Sequence, residues 1–305
     1  MTSLLVVGMP NSGKSTFIAA LRHLLIADEV PTHLRLTGLA ASEAHLNKLE
    51  GKWLACETIE RTKPATEGWV ELQVQDRVTG AESTLRIPDL RGEAFEQPAC
   101  IGQCQIDLFD ALSEAEGILL FTNADREDDA LLIDDIADIL DLEPVDEITG
   151  DHAATLDGQS PGVTTEAEGQ AVIEESTTRF RPEEMPEEVK LVEFLQLANR
   201  RPLRSRRRKV AVIVSAWDVV TSNGNATADA WLATRRPMLS QFLATNDDLW
   251  DARVYGVSAQ GGRLPQDKST LEKIGRPSER IRIVGHDADA HDISAPLRWL
   301  LPTAD

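Results

Sequence analysis

The chain opens with an apolar run, Leu4–Val7, then a glycine-rich turn, then Phe17, Ile18, Leu21, Leu24 and Leu25 at helical spacing. A short, fully apolar run predicts a buried strand, and apolar positions three and four apart predict a helix with one buried face. Both patterns recur. Leu46, Leu49 and Trp53 outline a helix within Ser42–Cys56. Val70, Leu72 and Val74 alternate as in a half-buried strand, Thr79-Gly80 marks a turn, and Leu85 and Ile87 form the returning arm of a hairpin. Ile106, Phe109 and Leu112 predict a helix over 105–115, and Gly117–Phe121 a buried strand. Pro186-Glu187-Glu188 starts another helix, with proline in its first turn and acids near its positive end. Leu191, Phe194, Leu195 and Ala198 are its buried face. Val210–Val214 and Arg253–Val257 read as strands, and Ile281–Val284 as an extra one. Between them Trp231, Leu239, Phe242 and Leu243 belong to one or two helices interrupted at Pro237. Ala295–Leu301 closes the chain as a helix in a segment, 286–305, that packs on the domain.

One stretch breaks the pattern. Residues 131–142 place Leu132, Ile136, Ile139 and Leu140 on one side of an acidic helix, and 144–182 is rich in Glu, Asp, Thr, Gly and Pro. So few large apolar residues cannot offset the entropy of ordering. The expected organisation is one domain over 1–305, with an acidic, largely disordered insertion at 124–185. Strands alternating with helices predict a three-layer α/β fold, its sheet mostly parallel with one antiparallel strand from the hairpin.

Charge and cysteine usage narrow the classes. A net charge of −20 argues against general affinity for nucleic acid or an anionic membrane. Cys56, Cys100 and Cys104 form no disulfide framework, and buried or idle thiols fit them better than a metal site. The first strand begins too early to leave room for a signal peptide, and no apolar stretch is long enough to span a bilayer, so a cytoplasmic location is expected. The basic run from Arg200 to Lys209 reads either as a nucleic-acid or phospholipid contact or as cations at a helix C-terminus facing the acidic insertion.

The turn after the first strand carries chemistry. Gly8-Met9-Pro10-Asn11-Ser12-Gly13-Lys14-Ser15-Thr16 contains G-x-x-x-x-G-K-S between a strand and a helix. In that context consecutive backbone N–H groups wrap a nucleotide's phosphates, Lys14 reaches the β- and γ-phosphates, and the Ser15 hydroxyl ligates Mg²⁺. Three further patterns follow at predicted strand ends, where open α/β sheets bind ligands. Asp89-Leu90-Arg91-Gly92 offers a carboxylate for Mg²⁺ and a flexible N–H for the γ-phosphate. Ser215-Ala216-Trp217-Asp218 offers an acceptor for a base, with Trp217 as a stacking surface. Ser258-Ala259-Gln260 offers backbone to the same base. Thr58, Thr62 and Thr66 all lie in the connector where a threonine would sense Mg²⁺ and γ-phosphate, with Thr62 and Thr66 the better placed, and the sequence does not separate them.

These motifs, in this order, resemble the TRAFAC-class GTPases of the P-loop superfamily. Ser215–Asp218 is similar to the guanine-reading N-K-x-D pattern, with Asp218 kept, Ser215 for Asn and Ala216 for Lys. Ser258-Ala259-Gln260 is similar to the S-A-K pattern whose backbone meets guanine O6. The Leu46–Trp53 helix before a Thr/Pro connector, the Trp-Asp ending of the base motif and the tail Asp292–Leu301 resemble the bacterial double-GTPase families. The resemblance implies an Mg²⁺-dependent switch that binds GTP and GDP and hydrolyses GTP, working with a paired GTPase or another effector in bacterial signalling or defence. It places Glu93 where relatives orient the attacking water, beside Gly92 and Lys14, and Asn11 where G-x-P-N relatives help hold a potassium ion. The altered base motif leaves open a P-loop ATPase or nucleotide kinase, or a scaffold that binds without turnover.

Overall fold

The apolar runs become the inner strands of an eight-stranded sheet in a computed structural model, which describes residues 2–38, 43–59, 69–88, 92–126, 185–221 and 226–302. In chain order the elements are β1 (Thr2–Gly8), α1 (Lys14–Ala27), β2 (Leu34–Leu36), α2 (Glu43–Leu54), β3 (Trp69–Asp76), β4 (Glu82–Pro88), α3 (Gly92–Ile101), α4 (Ile106–Glu114) and β5 (Ala115–Asn123). There follow α5 (Glu187–Ala198), β6 (Arg208–Ser215), α6 (Trp217–Thr221), α7 (Ala228–Arg235), α8 (Pro237–Thr245), β7 (Trp250–Ser258), α9 (Lys268–Leu271), a 3₁₀ turn at Pro277–Arg280, β8 (Arg282–Val284) and α10 (Ala295–Leu300). By its own contacts the chain divides into a unit of residues 1–129 with 182–305 and a segment 130–181. That segment lies outside the described residues, as do the expected helix at 131–142 and nearly all of the expected insertion.

The spatial order is β2-β3-β4-β1-β5-β6-β7-β8. The five strands from β4 to β7 are mutually parallel. The hairpin arm β3 is antiparallel to β4, as its turn signal predicts, and the edge strand β8 runs antiparallel to β7. Strand β2, too short for its pattern to stand out in the sequence, pairs with β3.

The central strands are apolar without alternation because both faces are covered. Leu4, Val6, Leu119, Phe121, Ala211 and Ile213 pack under α1, α2 and α10, whereas Leu5, Val7, Ile118, Leu120, Val210 and Val212 pack under α4, α5, α7 and α8. The break expected at Pro237 is real: α7 ends and α8 begins with this proline at its first position. Arg126 and Glu187, which flank 127–186 in sequence, form an ion pair at 3.3 Å. The Glu187 carboxylate also accepts from Thr122 at 3.2 Å and meets Arg236 at 3.4 Å, with its own side chain fully buried. The ends of β5 and α5 are therefore pinned together.

Part of the basic run is a set of staples. Arg206 donates to Glu116 and to the Ser113 and Ala115 carbonyls. Arg208, 2 % exposed, donates to the Ala198 carbonyl ending α5 and the Leu112 carbonyl of α4. These are free carbonyls that a helix C-terminus must satisfy. Burial, then the neighbouring Arg206 charge, lower the Arg208 pKa to about 10.

Candidate functional site

Strands β4, β1, β5, β6 and β7 point the same way, so the turns after Gly8, Ser215 and Ser258 share one rim of the sheet. The register sets their heights. Gly8 is paired with Phe121, Asn123 with Ser215, and Ser215 with Val257.

The first turn has no room for side chains at its two glycines. A Cβ on Gly8 would lie 2.6 Å from Ser12 Oγ and 2.8 Å from Phe121 Cβ. Gly13 sits at φ +85°, and a Cβ there would lie 2.7 Å from the Ser215 side chain. Asn11 is also left-handed at φ 60°, a region Asn enters more readily than most residues. Its carbonyl accepts from Asn123 Nδ2 at 2.8 Å, so β5 holds the loop from beneath. Lys14 folds back into the loop, donating to the Gly8 carbonyl at 2.6 Å, the Met9 carbonyl at 2.9 Å and Ser12 Oγ at 3.1 Å. Its ammonium also lies 5.5 Å from the centroid of the Phe95 ring, on α3. Among the described residues no side chain caps α1, and its first turn holds no acid. A helix start without a side-chain cap among the described residues, its positive end and an adjacent ammonium together fit an anion such as a polyphosphate. Ser15 and Thr16 stand half-buried in that first turn.

The second turn is built around a buried tryptophan. Ala216 adopts φ 54° between β6 and α6. Trp217 is 2 % exposed and lies over Gly256 of β7, where an added Cβ would come within 2.3 Å of the ring. The indole is thus a core side chain, and the stacking surface expected of it is not available. The reason is the glycine opposite, which opens a slot only an unsubstituted Cα leaves. Asp218, next in sequence, is joined to the third turn. Ser258 Oγ donates to Asp218 Oδ1 at 2.5 Å and accepts from the Gly261 N–H at 3.2 Å. Ser215 is 7 % exposed, and among the described residues its hydroxyl has no hydrogen-bond partner.

The third turn carries Ala259 and Gln260, both tied to Trp53 of α2. Trp53 Nε1 donates to the Ala259 carbonyl at 2.9 Å, and Gln260 Nε2 donates to the Trp53 carbonyl at 3.4 Å. Gly92 and Glu93 open α3, the next described element after β4. Asp89, Thr62 and Thr66 lie outside the described residues. Among the described residues no cluster of three or more His, Cys, Asp or Glu forms a metal cage. Magnesium beside a triphosphate does not require one, because phosphate oxygens and water fill most of its shell. No described helix is long and apolar enough to cross a membrane.

Three site neighbours were not evident beforehand: Asn123, Phe95 and Trp53. Asn123 had a readable signal, a polar residue ending an apolar strand at the rim where ligands gather. Phe95 had no such signal, and Trp53 had its helical spacing, which any core residue shares, and its place in the helix that resembles the double-GTPase families.

Among solved structures, the chain is similar to a bacterial selenocysteine-specific elongation factor, EF-Sec, at 11 % identity and a TM-score of 0.33, over 89 % of this chain. It spans only 28 % of that factor's length. It is also similar to the cytosolic domain of the T. maritima FeoB iron transporter in a GDP form, at 10 % identity and a TM-score of 0.27, over 95 % of this chain and 67 % of that one. No curated protein matches it. The model of one family, Double-GTPase 1, matches residues 5–300, nearly the whole chain, with the phosphate loop, Asp218 and Ser258 all inside the match, and the chain belongs to that family.

Proposed function

We propose that the protein binds guanine nucleotide with magnesium and hydrolyses GTP to GDP and inorganic phosphate, as a cytoplasmic switch read by a paired GTPase or another effector. The observation that carries this reading is one sheet rim holding both an uncapped helix N-terminus with Lys14 in its loop and Asp218 tied to Ser258.

Nucleotide would replace the loop carbonyls as the partner of Lys14, which then meets β- and γ-phosphate oxygens. Backbone N–H groups from Asn11 to Thr16 hold the α- and β-phosphates. Ser15 and Asp89, with Thr62 or Thr66, are the groups that would hold magnesium. When bound, the ion neutralises charge on the phosphate oxygens. The Gly92 N–H meets the γ-phosphate. Glu93 orients a water whose oxygen bonds to the γ-phosphorus as the bond to the β–γ bridging oxygen breaks. The water's proton ends on phosphate or solvent. Asn11 would help hold a potassium ion beside the same charge. Asp218 accepts from guanine N1–H and the N2 amine, while Ser258-Ala259-Gln260 faces O6. The γ-phosphate would be sensed through the 57–68 and 90–97 segments, and its loss on hydrolysis would end that contact.

Competition against a fluorescent guanine nucleotide with magnesium tests this. GTP and GDP should displace it at least about a hundredfold better than ATP, the worth of two hydrogen bonds to a carboxylate. Asp218→Asn should shift preference toward xanthosine triphosphate. Equal displacement by ATP refutes the guanine reading, and no phosphate release in single turnover refutes hydrolysis.

A further inference from the structure

Trp53 touches none of the motifs' own residues through sequence proximity, yet it is fully buried against the third turn of the site. Its indole N–H donates to the Ala259 carbonyl at 2.9 Å. Its own carbonyl, ending the last turn of α2, accepts from Gln260 Nε2 at 3.4 Å and from the Arg280 guanidinium at 3.3 Å. That guanidinium lies 4.3 Å from the ring centroid. The Arg280 carbonyl in turn crowds Gly261, held at φ +86°, where a Cβ would lie 2.3 Å away. Ser258 closes the far side through Asp218 and the Gly261 N–H. The turn 258–261 is therefore clamped from both sides, and one clamp comes from the helix that leads into 60–68.

A tryptophan filling a core needs no partner beyond one acceptor for its N–H, and any buried carbonyl would serve. Here the acceptor is the backbone of the residue expected to face the base, and the same tryptophan's carbonyl holds the next residue's side chain. We propose that Trp53 is a positioning residue for base recognition, fixing the Ala259–Gln260 peptide and the Gln260 side chain so that the turn meets the base's C6 oxygen. This rests on the guanine reading above. It also gives α2 a role in affinity without contact to the nucleotide.

The test uses the full chain, Trp53→Phe, and two ligands: GTP and the triphosphate of 2-aminopurine riboside, which lacks the C6 oxygen and with it the N1 proton, while Asp218→Asn separates the N1 contribution. Phenylalanine keeps a ring in the slot and removes the N–H. The wild type should prefer GTP. In Trp53→Phe, GTP affinity should fall about tenfold, the worth of a buried hydrogen bond left unmade. Affinity for the 2-aminopurine nucleotide should hold, so the preference shrinks by the same factor. An equal loss on both ligands means general loosening and overturns the proposal, as does an unchanged preference. If Trp53→Phe does not fold, Gln260→Ala removes the second tie and should shrink the preference about threefold. No shrinkage there overturns the proposal too. A wild type that binds both ligands equally overturns the guanine reading and this inference with it. A wild type that discriminates beside a variant that discriminates equally overturns this inference alone.

Discussion

Gly256→Ala is a one-carbon change with a consequence at the site. The added Cβ would lie 2.3, 2.6 and 2.7 Å from Cδ2, Cε2 and Cε3 of Trp217. Carbon atoms rest at about 3.5–4.0 Å, so ring and strand must separate by roughly an ångström. Neither gives easily. Gly256 is paired in register with Val214 on one side and Val284 on the other, and Trp217 is packed among the core of the α5, α7 and α8 face. Overpacking of this kind costs about 1–3 kcal/mol, and three simultaneous overlaps with a rigid ring favour the upper end. The displaced indole also carries its neighbour Asp218 away from Ser258, now 2.5 Å distant. Urea unfolding should give a lower midpoint at an unchanged slope, and guanine nucleotide affinity should fall with it. Trp217→Leu clears the slot, so Gly256→Ala should cost little in that background. The coupling in the double-mutant cycle should be about 2 kcal/mol. Effects that add within about 0.5 kcal/mol would refute the steric argument.

Other perturbations test other parts. Glu187→Gln keeps an acceptor for Thr122 but leaves Arg126 and Arg236 without the buried charge they face at 3.3 and 3.4 Å. It should lower unfolding free energy by about 3 kcal/mol, measured in urea. Ala216→Gly relieves a left-handed alanine at φ 54° and should raise the thermal midpoint, by the equivalent of about 1 kcal/mol. A lower midpoint would mean that junction is not strained. His23 is held below its ordinary 6.5, chiefly by burial and against the pull of Glu29. Its unfolded form therefore binds a proton that the fold does not, so stability should fall as pH drops through about 6.5 and level off once the folded imidazole protonates. His23→Gln should flatten that slope between pH 7 and 5 in urea titrations.

Those residues mark where sequence reading succeeds and where it stops. The strands β1, β5 and β6 announce themselves because the core of a strand covered on both faces must be apolar. The phosphate loop is legible because its glycines answer to local backbone demands: a left-handed φ at Gly13 and no space at Gly8. The hairpin is legible from Thr79-Gly80, with Gly80 at φ +71°. Short edge strands are not. β2 has three residues, and its place follows from pairing with β3, a fact about distant residues. The basic run shows a further limit. Its composition allows a surface patch, but which carbonyls Arg206 and Arg208 reach depends on where α4 and α5 end in space.

Trp217 and Trp53 make the same point in opposite directions. Trp217 sits inside a motif, and its neighbours in sequence invite a role at the base. Gly256, far along the chain, decides otherwise by opening a slot in the core. Trp53 sits outside the nucleotide motifs, on a helix whose spacing predicts burial. Its N–H nevertheless ends on the carbonyl of Ala259, a residue singled out for the base. Motif patterns record residues that touch a ligand through conserved chemistry, whereas packing decides which large side chains support them. Ser215 brings the two together. Where the resembling pattern has Asn, the shorter side chain stands against Gly13, whose Cα leaves no space for even one more carbon. A close approach of β6 to the phosphate loop accounts for a small residue at that position. In the proposed reading the base is then held mainly from the other side, by Asp218, Ser258 and the turn that Trp53 clamps.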